Sequence, residues 1–196
     1  MGLLPLAKAG VIDLDSLVID AKSGTTGAGK KASEGLLFSE VDGECLPYKV
    51  GKHQHYPEIV KYLSAFSGAK ATPFFSTSLL ATPRGIIAGM YANLLAGKTE
   101  ADVAAAFAAA YVGYPLAKVS TLSGTPKIAS LKQVVGTNGF QIGYTVDATL
   151  GGAPKLYLYS LIDNLRKGAA SQAVENLNRL IDRPAALGLT PFLQEN

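Results

Sequence analysis

Both histidines of the chain, His53 and His55, fall in one nonapeptide, GKHQHYPEI, at residues 51–59. On an extended backbone an i, i+2 pair points both rings to one face, a geometry that zinc sites use. Zinc, however, needs three or four ligands, and the nearest side chains that could add one are Cys45 and Glu58. The pair could equally handle protons, because imidazole titrates near neutral pH, or could be packed structural histidines. Spacing leaves these three readings open. A second stretch, SGTTGAGKKAS at residues 23–33, follows a predicted strand. Such a glycine-rich loop can turn backbone N–H groups towards a phosphate, with Lys30 and Lys31 adding positive charge. It matches neither GxxxxGK[ST] nor GxGxxG, and a flexible surface loop accounts for it as well. Cys45, in GECLPY, could be a nucleophile. It has no predicted helix N-terminus to stabilise a thiolate, and Glu44 flanks it with negative charge, so it reads as a buried or incidental cysteine. Arg84, in TPRGI, is the only arginine before Arg166. A lone guanidinium entering an apolar strand could fork onto a carboxylate or phosphate, or form a surface ion pair.

These residues need elements to position them. Residues 3–8, followed by Gly10, read as the last turns of a helix with a glycine cap. Residues 17–21 read as a short buried strand by their β-branched run, and residues 48–50 as a brief strand. Residues 57–66 form a predicted helix with Pro57 in its first turn, so the histidines lie on the loop just before a helix N-terminus. Strands are expected at 70–75 and 85–95. Thr99 and Asp102 approximate a capping box for a helix through about Val112. From Gln133 the pattern is β: Val134 and Val135, then 140–150, a Gly151–Gly152 turn and 155–162, the two long runs forming an antiparallel hairpin. A last helix over 165–181 carries an apolar face of Leu165, Ala169, Ala173, Leu177 and Leu180.

Composition narrows the class. At 196 residues, 48% hydrophobic and 17% charged, the chain can bury one core without disulfides and reads as a single domain, 1–196. A net charge of +3 without a basic cluster argues against nucleic acid. One cysteine allows no intrachain disulfide and suits a reducing, cytoplasmic compartment. The N-terminal residues lack the charge pattern of a signal peptide, and no uncharged apolar run reaches the roughly 18 residues of a membrane helix.

Taken together and in order, KSGTTGAGK, GKHQHYPEI, TPRGI and IDNLRKGAASQAVENLN resemble the N-acetyl-γ-glutamyl-phosphate reductase family, relatives of aspartate-semialdehyde dehydrogenase. The resemblance runs from Gly2 to about Leu189 and rests on the combination, each piece alone being weak. It implies an α+β fold like the C-terminal domain of glyceraldehyde-3-phosphate dehydrogenases: a mixed, largely antiparallel sheet with helices mainly on one face. It also implies an NADPH-dependent reduction of an acyl phosphate to a semialdehyde in arginine biosynthesis, through a cysteine thioester. Motif matching places His53 on the catalytic acid/base, and His55, Glu58 and Arg84 on positions that orient it or contact substrate. Ser23, Gly24, Gly27 and Gly29, with Asn164 and Leu165, fall on the cofactor side; no metal is implied. The family's nucleophile sits in a PGCYPT-like stretch ahead of GLLPL, so the cysteine and the Rossmann domain are expected upstream of residue 1, with the 165–181 helix packing on that domain. The chain alone is then expected to be inactive and not to hold NADPH stably, and to form a homodimer or higher homo-oligomer. There are departures: Ser78 stands near where members carry a TPH histidine, and Lys30 replaces the arginine of GAGR. Two other readings remain, a lysine-biosynthesis relative acting on an aminoadipyl phosphate and a non-catalytic scaffold of the same fold.

Overall fold

Helix α1 (Leu3–Lys8) buries Leu3, Leu6 and Ala7 and stops where Gly10 takes φ +59, a left-handed conformation that glycine adopts without a Cβ penalty. The computed structural model describes residues 1–122 and 129–189. Within them one seven-stranded sheet is built from β1 (Val18–Gly24), β2 (Cys45–Pro47), β3 (Phe74–Leu80), β4 (Ile86–Asn93), β5 (Ala117–Thr121), β6 (Phe140–Asp147) and β7 (Lys155–Ile162). Its order is β2-β3-β1-β4-β7-β6-β5. β1–β3 and β5–β6 pair in parallel, and the other neighbours are antiparallel. This is the mixed, largely antiparallel α+β sheet expected.

Helix α2 (Phe38–Val41) is a single turn near β2, whereas α3 (Tyr56–Ser67) is longer, with Pro57 in its first turn and Gly68 at φ 73 closing it. In α4 (Glu100–Tyr111) the Thr99 amide and hydroxyl both donate to the Asp102 carboxylate at 2.9 Å, which satisfies the N-terminal turn. Helices α1, α3 and α4 press Leu6, Leu63, Val103 and Phe107 onto Ile19, Met90, Ile142, Tyr144 and Leu158 of the sheet. That apolar contact is the core, and burying each such side chain is worth about 1.5–3 kcal/mol. The alternate residues of the strands face away from these helices. There Tyr91 meets Tyr157 and Tyr159 edge to face at 6.0 and 6.1 Å, and Val18 and Phe74 are exposed.

Several expectations need correcting. The brief strand lies at 45–47 rather than 48–50, because Lys49 at φ 47 and Gly51 at φ 68 turn the chain after Tyr48. β3 begins at Phe74, not Lys70, and β1 continues through Ser23 and Gly24, which the glycine-rich pattern reads as loop. Val134 and Val135 close a turn onto the Leu131 carbonyl instead of forming a strand. β5 was not anticipated. The last helix starts with a π-helical turn, Arg166–Ala170, before α5 (Ser171–Leu180).

Candidate active site

At the end of β1 three of the motif stretches converge. The Gly24 N–H donates to the Gly85 carbonyl at 2.8 Å, and the Thr25 and Thr26 N–H groups to the Thr82 and Pro83 carbonyls. Asn164, just past β7, accepts from the Gly85 N–H at 2.7 Å through Oδ1 and donates through Nδ2 to the Thr26 hydroxyl at 2.9 Å. One amide thus ties SGTTGAG to TPRG. Beside it Asp163, fully buried, accepts from the N–H groups of Gly136 (2.8 Å), Leu165 (2.9 Å) and Arg166 (3.1 Å) and from Arg84 Nη2 at 2.8 Å. Burial alone would push the Asp163 carboxyl up; the hydrogen bonds from Gly136, Leu165, Arg84 and Arg166 outweigh it and hold the group below its ordinary value. The Arg84 Nε is buried and has no partner among the described residues.

Gly24 is required by space, since its φ of −65° suits any residue. A Cβ there would lie 2.8 Å from both the Arg84 nitrogen and the Thr82 oxygen, which are backbone atoms. Gly24→Ala is therefore expected to cost about 1–3 kcal/mol, as overpacking does, checked by urea denaturation of the chain. A loss below the error of that measurement would show that the loop yields freely. Farther along, Gly29 takes φ 81 and a Cβ at Gly27 would meet Ser23 Oγ at 3.1 Å, so the loop presents open backbone.

The histidines sit elsewhere. His53 is half-buried, its ring edge-on to Tyr48 (5.7 Å) and Phe75 (5.2 Å), beside a cleft of about 500 Å³. Its Nδ1 accepts the His55 backbone N–H at 3.2 Å, which leaves the proton of the neutral ring on Nε2. Burial, then the positive charges of His55 and Lys49, lower its pKa below the ordinary imidazole value. His55 is exposed, its Nδ1 3.2 Å from the exposed Glu58 carboxylate. Among the described residues no three His, Cys, Asp or Glu side chains stand together as a metal would require, and Cys45 is exposed on the edge strand β2, opposite Leu80.

The predicted site residues therefore form two groups. Phe75, against which His53 packs, stands opposite Ile19, five residues short of Gly24. At about 3.3 Å per residue this separates the groups by roughly 16 Å. Between them runs a groove of about 320 Å³ floored by Ile19, Ala88 and Ser160 and bordered by Glu58 and the start of α1. Asp163 was not singled out from the sequence. A signal existed, because an aspartate two and three residues ahead of free amides is a helix-capping pattern.

No helix among the described residues is long and apolar enough to cross a membrane. A family model described as semialdehyde dehydrogenase, dimerisation domain, matches residues 1–164. The chain is 41% identical over 193 residues to N-acetyl-gamma-glutamyl-phosphate reductase of Streptococcus thermophilus, covering 97% of this chain and 54% of that protein. It is 40% identical over 189 residues to the Geobacillus stearothermophilus protein of the same name, covering 96% and 53%. The chain thus spans about half the length of the relatives it matches. Among solved structures, aspartate semialdehyde dehydrogenase II from Vibrio cholerae superposes with a TM-score of 0.68 at 14% identity over 92% of this chain and 58% of that one, a likeness of fold.

Proposed function

The chain belongs to the semialdehyde dehydrogenase dimerisation-domain family, and from that premise we propose that it is the substrate-binding and dimerisation domain of an NADPH-dependent N-acetylglutamyl-phosphate reductase of arginine biosynthesis. The observation that carries this reading is the convergence of the glycine loop, TPRG and Asp163–Asn164 at one end of the sheet. Three stretches far apart in sequence are held there by buried polar groups whose hydrogen bonds offset their desolvation, which fixes the loops as a site needs.

In this reading a cysteine outside the chain attacks the acyl carbon as thiolate, and the bond to the phosphate oxygen breaks to release phosphate. A nicotinamide cofactor, when bound, would supply the hydride for the thioester carbon, after which expulsion of the thiolate would free the semialdehyde. The 24–29 loop fits one end of the cofactor: its glycines leave open backbone at Gly27 and Gly29, and Leu165 lies exposed beside it. The Asn164 amide is already spent on Gly85 and Thr26, so Asn164 shapes that surface. With no GxGxxG loop in the chain, firm NADPH binding falls to a separate cofactor domain. The exposed Leu165, Ala169, Ala173, Leu177 and Leu180 form the face that meets it.

Helix α1 supports the placement of the nucleophile. Gly2 lies against Met90 and Leu158, while the Leu95 and Asp13 amides close Val11 and Ile12 onto the end of β4. The helix therefore follows β4, its start facing Ala88 and Ser160. A cysteine ahead of it would enter the groove over these small side chains, between the His53 end and the Gly85–Asn164 end. Arg84, with its unpartnered Nε, is the anion contact on that side. His53 serves as the acid/base through Nε2, with Glu58 on the rim of the groove and His55 paired to it. Dimerisation uses the helix-free sheet face with Tyr91, Tyr157, Tyr159 and Phe74, and the cytoplasm is the compartment.

The chain alone is expected to show no NADPH oxidation with N-acetylglutamyl 5-phosphate. Joined to a family cofactor domain carrying the cysteine, it is expected to turn over that substrate faster than an aminoadipyl phosphate. Turnover by the chain alone, or the reverse preference, would overturn the assignment.

A further inference from the structure

Lys167 is buried at the π-helical turn, and its ammonium makes two hydrogen bonds. It donates to the Tyr114 hydroxyl at 2.7 Å and to Glu175 Oε1, while the Tyr114 hydroxyl donates to Glu175 Oε2. The ammonium also lies 5.3 and 5.6 Å from the ring centres of Tyr114 and Phe140. Lys167 and Glu175 are each 2% exposed in their side chains, and the mechanism above uses neither. Apolar side chains of the same volume would serve stability as well or better, because desolvating two ions cancels most of their attraction.

What the ion pair adds is direction. The ammonium must meet two fixed acceptors at one point, one on α5 and one on the segment after α4. That point is reached with the chain in the wide turn, where the Gly168 N–H bonds to the Asp163 carbonyl at 3.0 Å and the Ala170 N–H to that of Leu165 at 3.1 Å. A π turn holds one residue more than an α turn, so its loss would rotate the preceding residues by about 100° relative to α5. Those residues are Asp163, Asn164 and Leu165.

We propose that Lys167 is a positioning residue: its pairing with Glu175 and Tyr114 selects the π turn and so registers Asp163 and Asn164 beneath the glycine loop. The functional meaning rests on the reductase reading, but the registration is testable without turnover. Lys167→Met alone strands a buried carboxylate, so the informative variant is Lys167→Met with Glu175→Leu in the 196-residue chain. Its thermal midpoint is expected to stay within a few degrees of the parent or above it. The Gly85 and Gly136 amides, held by Asn164 and Asp163, should exchange with deuterium at least tenfold faster, while sheet amides such as Leu158 keep their rates. Unchanged exchange at Gly85 and Gly136 would overturn the proposal. Faster exchange throughout the chain, or a collapsed midpoint, would also overturn it by making the pair a general stabiliser. Because no catalysis is measured, failure of the reductase reading leaves this result interpretable, and the converse holds.

Discussion

Asp163→Ala is expected to destabilise the chain by about 3–5 kcal/mol, the cost of removing one partner from a buried charge pair, and to lower its thermal midpoint by roughly 6–20 °C. The carboxylate is the acceptor for three backbone N–H groups and the Arg84 guanidinium; alanine satisfies none of them. Against a typical total of about 5–15 kcal/mol, the loss is a large fraction. Asp163→Asn should lose less, because its carbonyl oxygen still accepts, though the pairing with Arg84 weakens. The pH dependence has a definite sign. With its folded pKa held below the ordinary carboxylate value, Asp163 contributes stability that is fully present above that value and lost as pH falls through the folded pKa. Asp163→Asn should therefore flatten the acid limb of stability against pH. Urea midpoints between neutral pH and pH 3 measure both effects, and an alanine variant within about 1 kcal/mol of the parent would mean that water replaces the carboxylate.

The network was legible in the sequence only where local chemistry announces itself. The Thr99–Asp102 box, Pro57 in the first turn of α3, and the paired glycines between β6 and β7 state backbone demands, and those elements stand where expected. β3 runs on past Phe75 through Leu80, where FSTS reads as a polar loop. Yet Thr77 is buried with its hydroxyl donating to the Tyr48 carbonyl, 29 residues away in sequence, and Ser78 is also buried. β5 alternates apolar and polar only over Ala117–Ser120, too short a run to stand out, and as an edge strand it has one neighbour to bury against. Val134 and Val135 carry strand propensity, but two residues cannot override the turn onto Leu131. In α5 the apolar periodicity was real and marked the exposed face; the buried face is Lys167, Ser171, Glu175 and Asn178, because polar side chains with partners can line an interior that hydropathy alone assigns to leucines. The same limit hid Asp163, whose partners Gly136 and Arg84 lie 27 and 79 residues away.

In a reductase containing this domain, His53→Ala is expected to lower turnover by about 10²- to 10⁴-fold, the usual worth of a positioned proton-transfer group, with little change in thermal midpoint. The ring is held on two aromatic edges and its Nδ1 on the His55 amide, so Nε2 is the nitrogen free to meet a substrate. Protonating Nδ1 would set two donors against each other, in keeping with the lowered pKa. His53 is thus neutral at pH 7, and that form is lost only as pH falls through a value below the ordinary imidazole range. The acid limb of the rate profile should lie there and vanish in the alanine variant. His55→Ala keeps the backbone N–H that fixes Nδ1 and removes an exposed pair with Glu58 and a ring contact with His53 at 5.3 Å, so its effect should stay within about tenfold, smaller than a general acid's. The roughly 16 Å of strand between the Ile19–Phe75 pair beside His53 and Gly24 makes this test decisive for the reductase reading. An unchanged rate in His53→Ala would place the reacting atoms at the Asn164 end of the groove and leave His53 to its packing against Tyr48 and Phe75.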